Sequence, residues 1–220
     1  MKNNIIIGFL GSDKHEIILY LSRILYHLNK KVLLVDFAEN EALTQSIPIP
    51  TMLKESNTYL DYRGIDFIRG ENYYFNINED YDYVLLDFGY NYSTLSSIVC
   101  DQIIYVTDLQ LHNAKRIKIG RQKGDPKSHI IIKDVFKCKI GPENILREIH
   151  PKISIENVYI IEQDAIDIKF KIHSQYNQTF YFDKLSKSMK SFLQDIISSF
   201  DESLGKSQIQ NAYKIAERGR

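Results

Sequence analysis

The stretch that decides the fold is Ile5-Ile6-Ile7-Gly8-Phe9-Leu10-Gly11-Ser12-Asp13-Lys14-His15-Glu16-Ile17-Ile18. Asn3 to Phe9 is a β-branched apolar run, Gly8 to Asp13 is turn chemistry, and Ile17, Ile18, Leu21, Ile24, Leu25 and Leu28 recur at helical spacing. The reading is strand, glycine turn, helix. Working outward, Lys31 to Phe37, Ile65 to Ile68, Tyr83 to Leu86, Ile103 to Thr107, His129 to Val135 and Asn157 to Ile161 are further short apolar runs. Strands that are apolar on both faces are those of a parallel sheet covered by helices on both sides. Helical patterns at Leu111 to Ile119 and Pro142 to Ile149 fall between them, so the expected fold is α/β, a three-layer sandwich with a largely parallel central sheet. A last helix is predicted from about Lys184 to Leu204, with Leu185, Met189, Phe192, Leu193, Ile196, Ile197 and Phe200 in one stripe. Packing on the sheet is the first explanation of that stripe, with a membrane-surface or dimer helix as alternatives. The domain is expected to span 1–204, followed by a polar tail from 205 to 220 that is either mobile or folds on a partner.

Composition bounds the function. The chain has 220 residues, 44% of them hydrophobic, with 28 Lys plus Arg against 28 Asp plus Glu. A zero net charge excludes a globally basic nucleic-acid or membrane binder. The charge is uneven, however. Glu55 to Asn91 holds eight acidic residues against two basic, whereas His112 to Lys139 holds nine basic against two acidic. Within the second segment Lys115, Arg116, Lys118, Arg121 and Lys123 are the candidate partner-binding residues. Such a patch would meet an acidic protein, DNA phosphates or anionic lipid. No apolar run approaches the ~20 residues of a membrane span, and no signal-peptide pattern follows Lys2. Cys100 and Cys138 share no ligand spacing with histidine, so a reduced, cytoplasmic setting and ordinary thiols are expected.

A glycine turn between a first strand and first helix is where phosphate-binding folds gather backbone amides around an anion. The phosphate-loop pattern G-x-x-x-x-G-K-[ST] is only half met: Gly8 and Lys14 are present, but Asp13 replaces the second glycine and His15 the magnesium-binding hydroxyl. Asp13 and Glu16 add negative charge where phosphates would sit, and could satisfy the helix start themselves. Lys14 reads either as a phosphate contact or as a partner of Asp36 or Asp87. Asp87 reads as a metal-side carboxylate or as a turn cap, and His15 as a solvated helix residue.

With Val32-Leu33-Leu34-Val35-Asp36, Tyr81-Asp82-Tyr83-Val84-Leu85-Leu86-Asp87-Phe88-Gly89, Val106-Thr107-Asp108 and Ala114-Lys115-Arg116 following in order, the chain resembles the ParA/MinD family of deviant-Walker ATPases over about residues 3 to 200. The resemblance implies a nucleotide site at Gly8, Gly11, Lys14, Asp36 and Asp87, with Lys14 on the β/γ-phosphates and Asp87 in the magnesium shell. Four family features depart: the extra signature lysine early in the loop is missing, Ala38 stands where a second aspartate is expected, Lys133 replaces the base-reading asparagine, and Ile161 replaces a loop proline. Phosphoryl transfer depends on such positioning groups. The expectation is therefore a degenerate member with no cofactor, impaired or absent catalysis, no assigned metal, and a scaffold or adaptor role in positioning or assembling a bacterial machine, as a homodimer with a protein partner. The alternatives are a slow, nucleotide-switched ATPase using ATP with magnesium, and a module making weak nonspecific contacts with DNA or anionic membrane.

Overall fold

A computed structural model describes residues 4–48, 59–75, 81–117, 123–149, 156–179 and 183–218. One eight-stranded sheet organises them, in the order β3-β4-β2-β5-β1-β6-β7-β8. Its strands are β1 (Ile5–Gly11), β2 (Val32–Asp36), β3 (Leu60–Tyr62), β4 (Ile65–Arg69), β5 (Tyr83–Asp87), β6 (Gln102–Thr107), β7 (Lys127–Val135) and β8 (Asn157–Glu162). Every pairing is parallel except the β3–β4 hairpin. The helices are α1 (His15–His27), α2 (Ala42–Gln45), α3 (Tyr92–Ser97), α4 (Leu111–Arg116), α5 (Pro142–Ile149), α6 (Ala165–Asn177), α7 (Lys187–Phe200) and α8 (Lys206–Glu217).

The alternation of strand side chains builds two cores. Ile7 and Phe9 of β1, with Tyr83 and Leu85 of β5, face a core closed by α1, α7 and α8. Leu10, Val84 and Leu86 face the opposite core, closed by α3, α4 and α5. The three-layer α/β expectation is met. The α7 stripe is packing: Phe192, Leu193, Ile196 and Ile197 are all buried, each stabilising the fold by about 1.5–3 kcal/mol. Ser186 starts this helix by accepting the Met189 amide at 3.1 Å.

Two expectations are corrected. Residues 205–218 are not a loose tail, because Lys206 to Glu217 form α8, whose Ile209, Ala212, Tyr213 and Ala216 recur at helical spacing and bury against the α1 side of the sheet. Gly205 starts that helix, its amide bonding to Gln208 Oε1 at 3.1 Å, and the domain boundary at 204 disappears. The glycine turn is also shorter than expected. Strand β1 continues through Gly11, which pairs with Val106, so three residues connect strand to helix. Gly8 therefore lies inside the strand. A Cβ there would meet the Phe88 ring at 2.8 Å and Cys100 Sγ at 3.1 Å, so its role in this fold is close packing.

Candidate functional site

The strands β1, β2 and β5 end together beside the start of α1, and parallel pairing puts Asp36 directly opposite Asp87. Gly11 turns the chain with φ +121°, and a Cβ at this position would lie 2.0 Å from the Val106 carbonyl oxygen. The Gly11 amide donates to Gly89 O at 2.6 Å and that of Ser12 to Val106 O at 2.8 Å, fixing the turn to both flanking strands. Lys14 occupies the N-cap position of α1 and makes no side-chain cap bond. The first-turn amides of a thirteen-residue helix, with the positive end of its dipole, thus face the turn without a side-chain anion on the cap.

The Lys14 side chain is buried. Its Nζ lies 2.7 Å from Asp87 Oδ1, both side chains being at most 3% exposed, and it approaches the carbonyls of Gly11 and Ser12 at 3.3 and 3.4 Å. Asp87 also accepts the Gly89 amide at 2.9 Å. Asp36 is held differently: it accepts the Thr44 amide (2.8 Å), the Thr44 hydroxyl (2.7 Å) and the Ala38 amide (3.0 Å). Burial and then the neighbouring Asp87 raise its carboxyl above the ordinary range despite those bonds. A cavity of about 200 Å³ opens over Gly11, Ser12, Lys14, Asp87 and Gly89. It is smaller than the ~300–1,000 Å³ of a whole small-molecule pocket, and so matches phosphate groups better than a complete nucleotide.

Tyr90 and Arg116 form the lip of this cavity. The Tyr90 hydroxyl lies 3.2 Å from Ser12 Oγ and donates to Asn113 Oδ1 at 3.4 Å, while the Arg116 guanidinium stacks 3.6 Å from the Tyr90 ring centroid. Arg116, grouped by sequence with a partner-binding surface, therefore lines the same cavity as Lys14. Lys115 and Lys123 are exposed, and Lys118 and Arg121 lie outside the described residues.

The charges expected to clog the phosphate position are paired by groups behind the turn, although Asp13 itself also lines the cavity, together with Glu39. Lys133 of β7 pairs with Glu16 and donates to the Asp13 carbonyl at 2.9 Å. Lys171 of α6 sits 2.5 Å from Asp13 Oδ2 and 3.7 Å from Glu16 Oε1, and His15 Nδ1 lies 2.6 Å from Asp13 Oδ1. Burial alone would raise the Asp13 and Glu16 carboxyls. His15 and Lys171 outweigh it for Asp13, and Lys133, Lys171 and His15 for Glu16, so both are held below the ordinary carboxylate range. The Lys171 ammonium is held high in turn, Glu16 and Asp13 overcoming its burial. His15 is buried within this network, where a solvated helix residue was expected. Asp13, His15 and Glu16 bring three ligand-type atoms within 4.8 Å of one another. Two ammonium groups already hold their carboxylates, which makes the cluster a neutralised network and a poor cation site.

No family model matches the sequence and no curated protein matches it significantly. Solved structures do match. MinD in the MinC:MinD cell division complex of Aquifex aeolicus aligns with TM-score 0.62 at 16% identity, covering 88% of this chain and 96% of that one. A plasmid partition protein of Borrelia burgdorferi bound to AMPPNP gives TM-score 0.58 at 14% identity over 92% and 100%. The pNOB8 ParA bound to nonspecific DNA gives 0.52 at 13% over 98% of both. The chain has the ParA/MinD-like P-loop fold. The expectation of no cofactor is corrected: the Borrelia protein of the same fold holds AMPPNP, and here the turn between β1 and α1 has a buried lysine, a helix start with no side-chain cap and a cavity. Among the described residues no helix is long and apolar enough to cross a membrane.

Proposed function

We propose that this chain is a nucleotide-binding ParA/MinD-like protein that works by forming complexes, as a dimeric scaffold in placing or assembling a bacterial machine, with slow or no turnover of ATP. The Lys14–Asp87 pair at the floor of the cavity carries the reading. Lys14 and the turn from Gly11 to Lys14 would hold the phosphates, and Asp87 the magnesium side. Bound ATP with magnesium would supply a triphosphate whose terminal phosphate tells two states of the protein apart. The residues around it favour binding over hydrolysis. Ala38 brings no carboxylate toward an attacking water, His15 is committed to Asp13, and the Asp36 oxygens are taken by Thr44 and Ala38. Of the three neighbours, one is in a complex with a protein and one is bound to DNA, which supports a partner-binding role.

The test pairs equilibrium dialysis of ATP and magnesium with phosphate release and light scattering on the full chain. Saturable binding, phosphate release at the level of a Lys14→Ala blank, and the mass of a dimer are expected. Failure to bind overturns the nucleotide reading, and phosphate release well above the blank overturns the non-catalytic one.

A further inference from the structure

The cavity over the turn between β1 and α1 is lined by three carboxylates, Asp13, Glu39 and Asp87, and by two cations, Lys14 and Arg116. Most of these charges are matched inside the protein. Lys14 lies 2.7 Å from Asp87, and Asp13 is held by Lys171 and His15. Arg116 is not matched in this way. Among the described residues its guanidinium makes no ion pair and donates no hydrogen bond, and it rests on the face of Tyr90, 3.6 Å from the ring centroid.

Cations are common in the last turn of a helix, and Arg116 ends the six-residue α4. Its surroundings go further than that and fix where it stands. The Arg116 carbonyl accepts the Tyr92 hydroxyl at 2.8 Å, and the next residue, Ile117, is buried so close to the turn that a Cβ on Gly11 would meet it at 2.9 Å. The ring under the guanidinium is fixed as well. The Tyr90 hydroxyl lies 3.2 Å from Ser12 Oγ and donates to Asn113 Oδ1 at 3.4 Å, and Asn113 donates in turn to Asp108 Oδ2 at 2.9 Å. A guanidinium on an aromatic face keeps its charge and its N–H donors. The phosphate turn, the loop after β5 and the end of α4 together hold an unspent cation at the edge of the cavity.

We propose that Arg116, carried on Tyr90, is a second phosphate ligand of this site and makes it select phosphate chains by their length. The inference rests on the nucleotide reading above and deepens it. Lys14 and the start of α1 serve one phosphate group. Each further linked group brings more negative charge into a space where Asp13, Glu39 and Asp87 already stand, and Arg116 is the lining cation left to meet it. The guanidinium fork matches the paired oxygens of a phosphate and forms charge-assisted hydrogen bonds to them. A single phosphate engages Lys14 and gains little from Arg116, whereas a di- or triphosphate engages both.

The test titrates AMP, ADP and AMPPNP, each with magnesium, into the full native chain, Arg116→Gln and Arg116→Lys, so that the base stays constant while the number of phosphates changes. Native affinity should rise with phosphate number. The loss in Arg116→Gln should grow along the same series, smallest for AMP and about tenfold or more for AMPPNP. Arg116→Lys keeps the charge without the fork and should fall between the two. A loss that is equal for every ligand that binds, or no loss for any of them, would overturn the proposal and leave the nucleotide reading standing. A native chain that binds none of the three would overturn both.

Discussion

The two sides of the short turn from Ser12 to Glu16 handle charge in opposite ways. Behind it, two carboxylates and a histidine meet two lysines from β7 and α6, with Glu16 Oε2 and His15 Nε2 buried outside those hydrogen bonds. In front of it, Lys14 and Asp87 pair under a cavity that Asp13, Glu39 and Arg116 also line, below a helix start that no side chain caps. The contrast separates structure from function within a few residues. A charge network anchored from β7 and α6 holds the turn in place, while the Lys14–Asp87 pair under the cavity can exchange its partner for a ligand.

Breaking the rear network should have the largest effect. Lys133→Met leaves Glu16 buried without its main partner and should cost about 3–5 kcal/mol in chemical denaturation. Adding Glu16→Met should recover most of that loss, since replacing both partners removes the stranded charge. A full recovery of stability alongside unchanged nucleotide binding would sharpen the division between the two sides. Gly11→Ala comes next. It places a Cβ against the Val106 carbonyl at positive φ, a strain of about 1–3 kcal/mol or more, and it should reduce nucleotide affinity as well as the melting temperature.

The pH dependence follows from the same network. Asp13 and Glu16 have depressed carboxyl pKa values in the folded chain, so their contribution is complete above the ordinary carboxylate value of about 4 and is lost as pH falls below it. Asp36 has the opposite sign: its raised value makes the folded chain hold the proton more tightly, a contribution lost as pH rises through the ordinary value toward the raised one. Melting temperature against pH should therefore fall on the acid side in the native chain, and fall less steeply in Asp13→Asn. The smallest change in stability belongs to Arg116→Ala, within about 1 kcal/mol for an exposed guanidinium on a ring. Its effect should appear instead as weaker nucleotide binding, because Arg116 stands at the lip of the cavity.

The parallel sheet was legible because its strands are apolar on both faces, and α1 and α7 because their stripes are large and regular. Helix α6 was not. Ile166, Ile168, Phe170 and Ile172 alternate at the period of a strand, and the helix is set instead by Asp164, which caps the Ile166 amide at 2.7 Å, and by Gln178 turning left-handed at its end. With α6 unseen, Lys171 had no place, and Asp13 and Glu16 read as charges at the phosphate position that satisfy the helix start themselves. Helix α8 was missed because half of its buried stripe is alanine. In the site, Lys14, Asp36 and Asp87 could be named from the motif order, and their contacts follow from parallel register. Arg116 could not be placed, since nothing in a run of basic residues says which of them stacks on Tyr90.

The most direct measurement is calorimetric titration of AMPPNP with magnesium into the native chain, Lys14→Ala, and a variant carrying Glu16→Met with Lys133→Met. The account predicts saturable heat for the native chain, none for Lys14→Ala, and near-native affinity for the double variant, whose changes lie behind the turn. An absence of saturable heat in the native chain, or equal binding by Lys14→Ala, would contradict it.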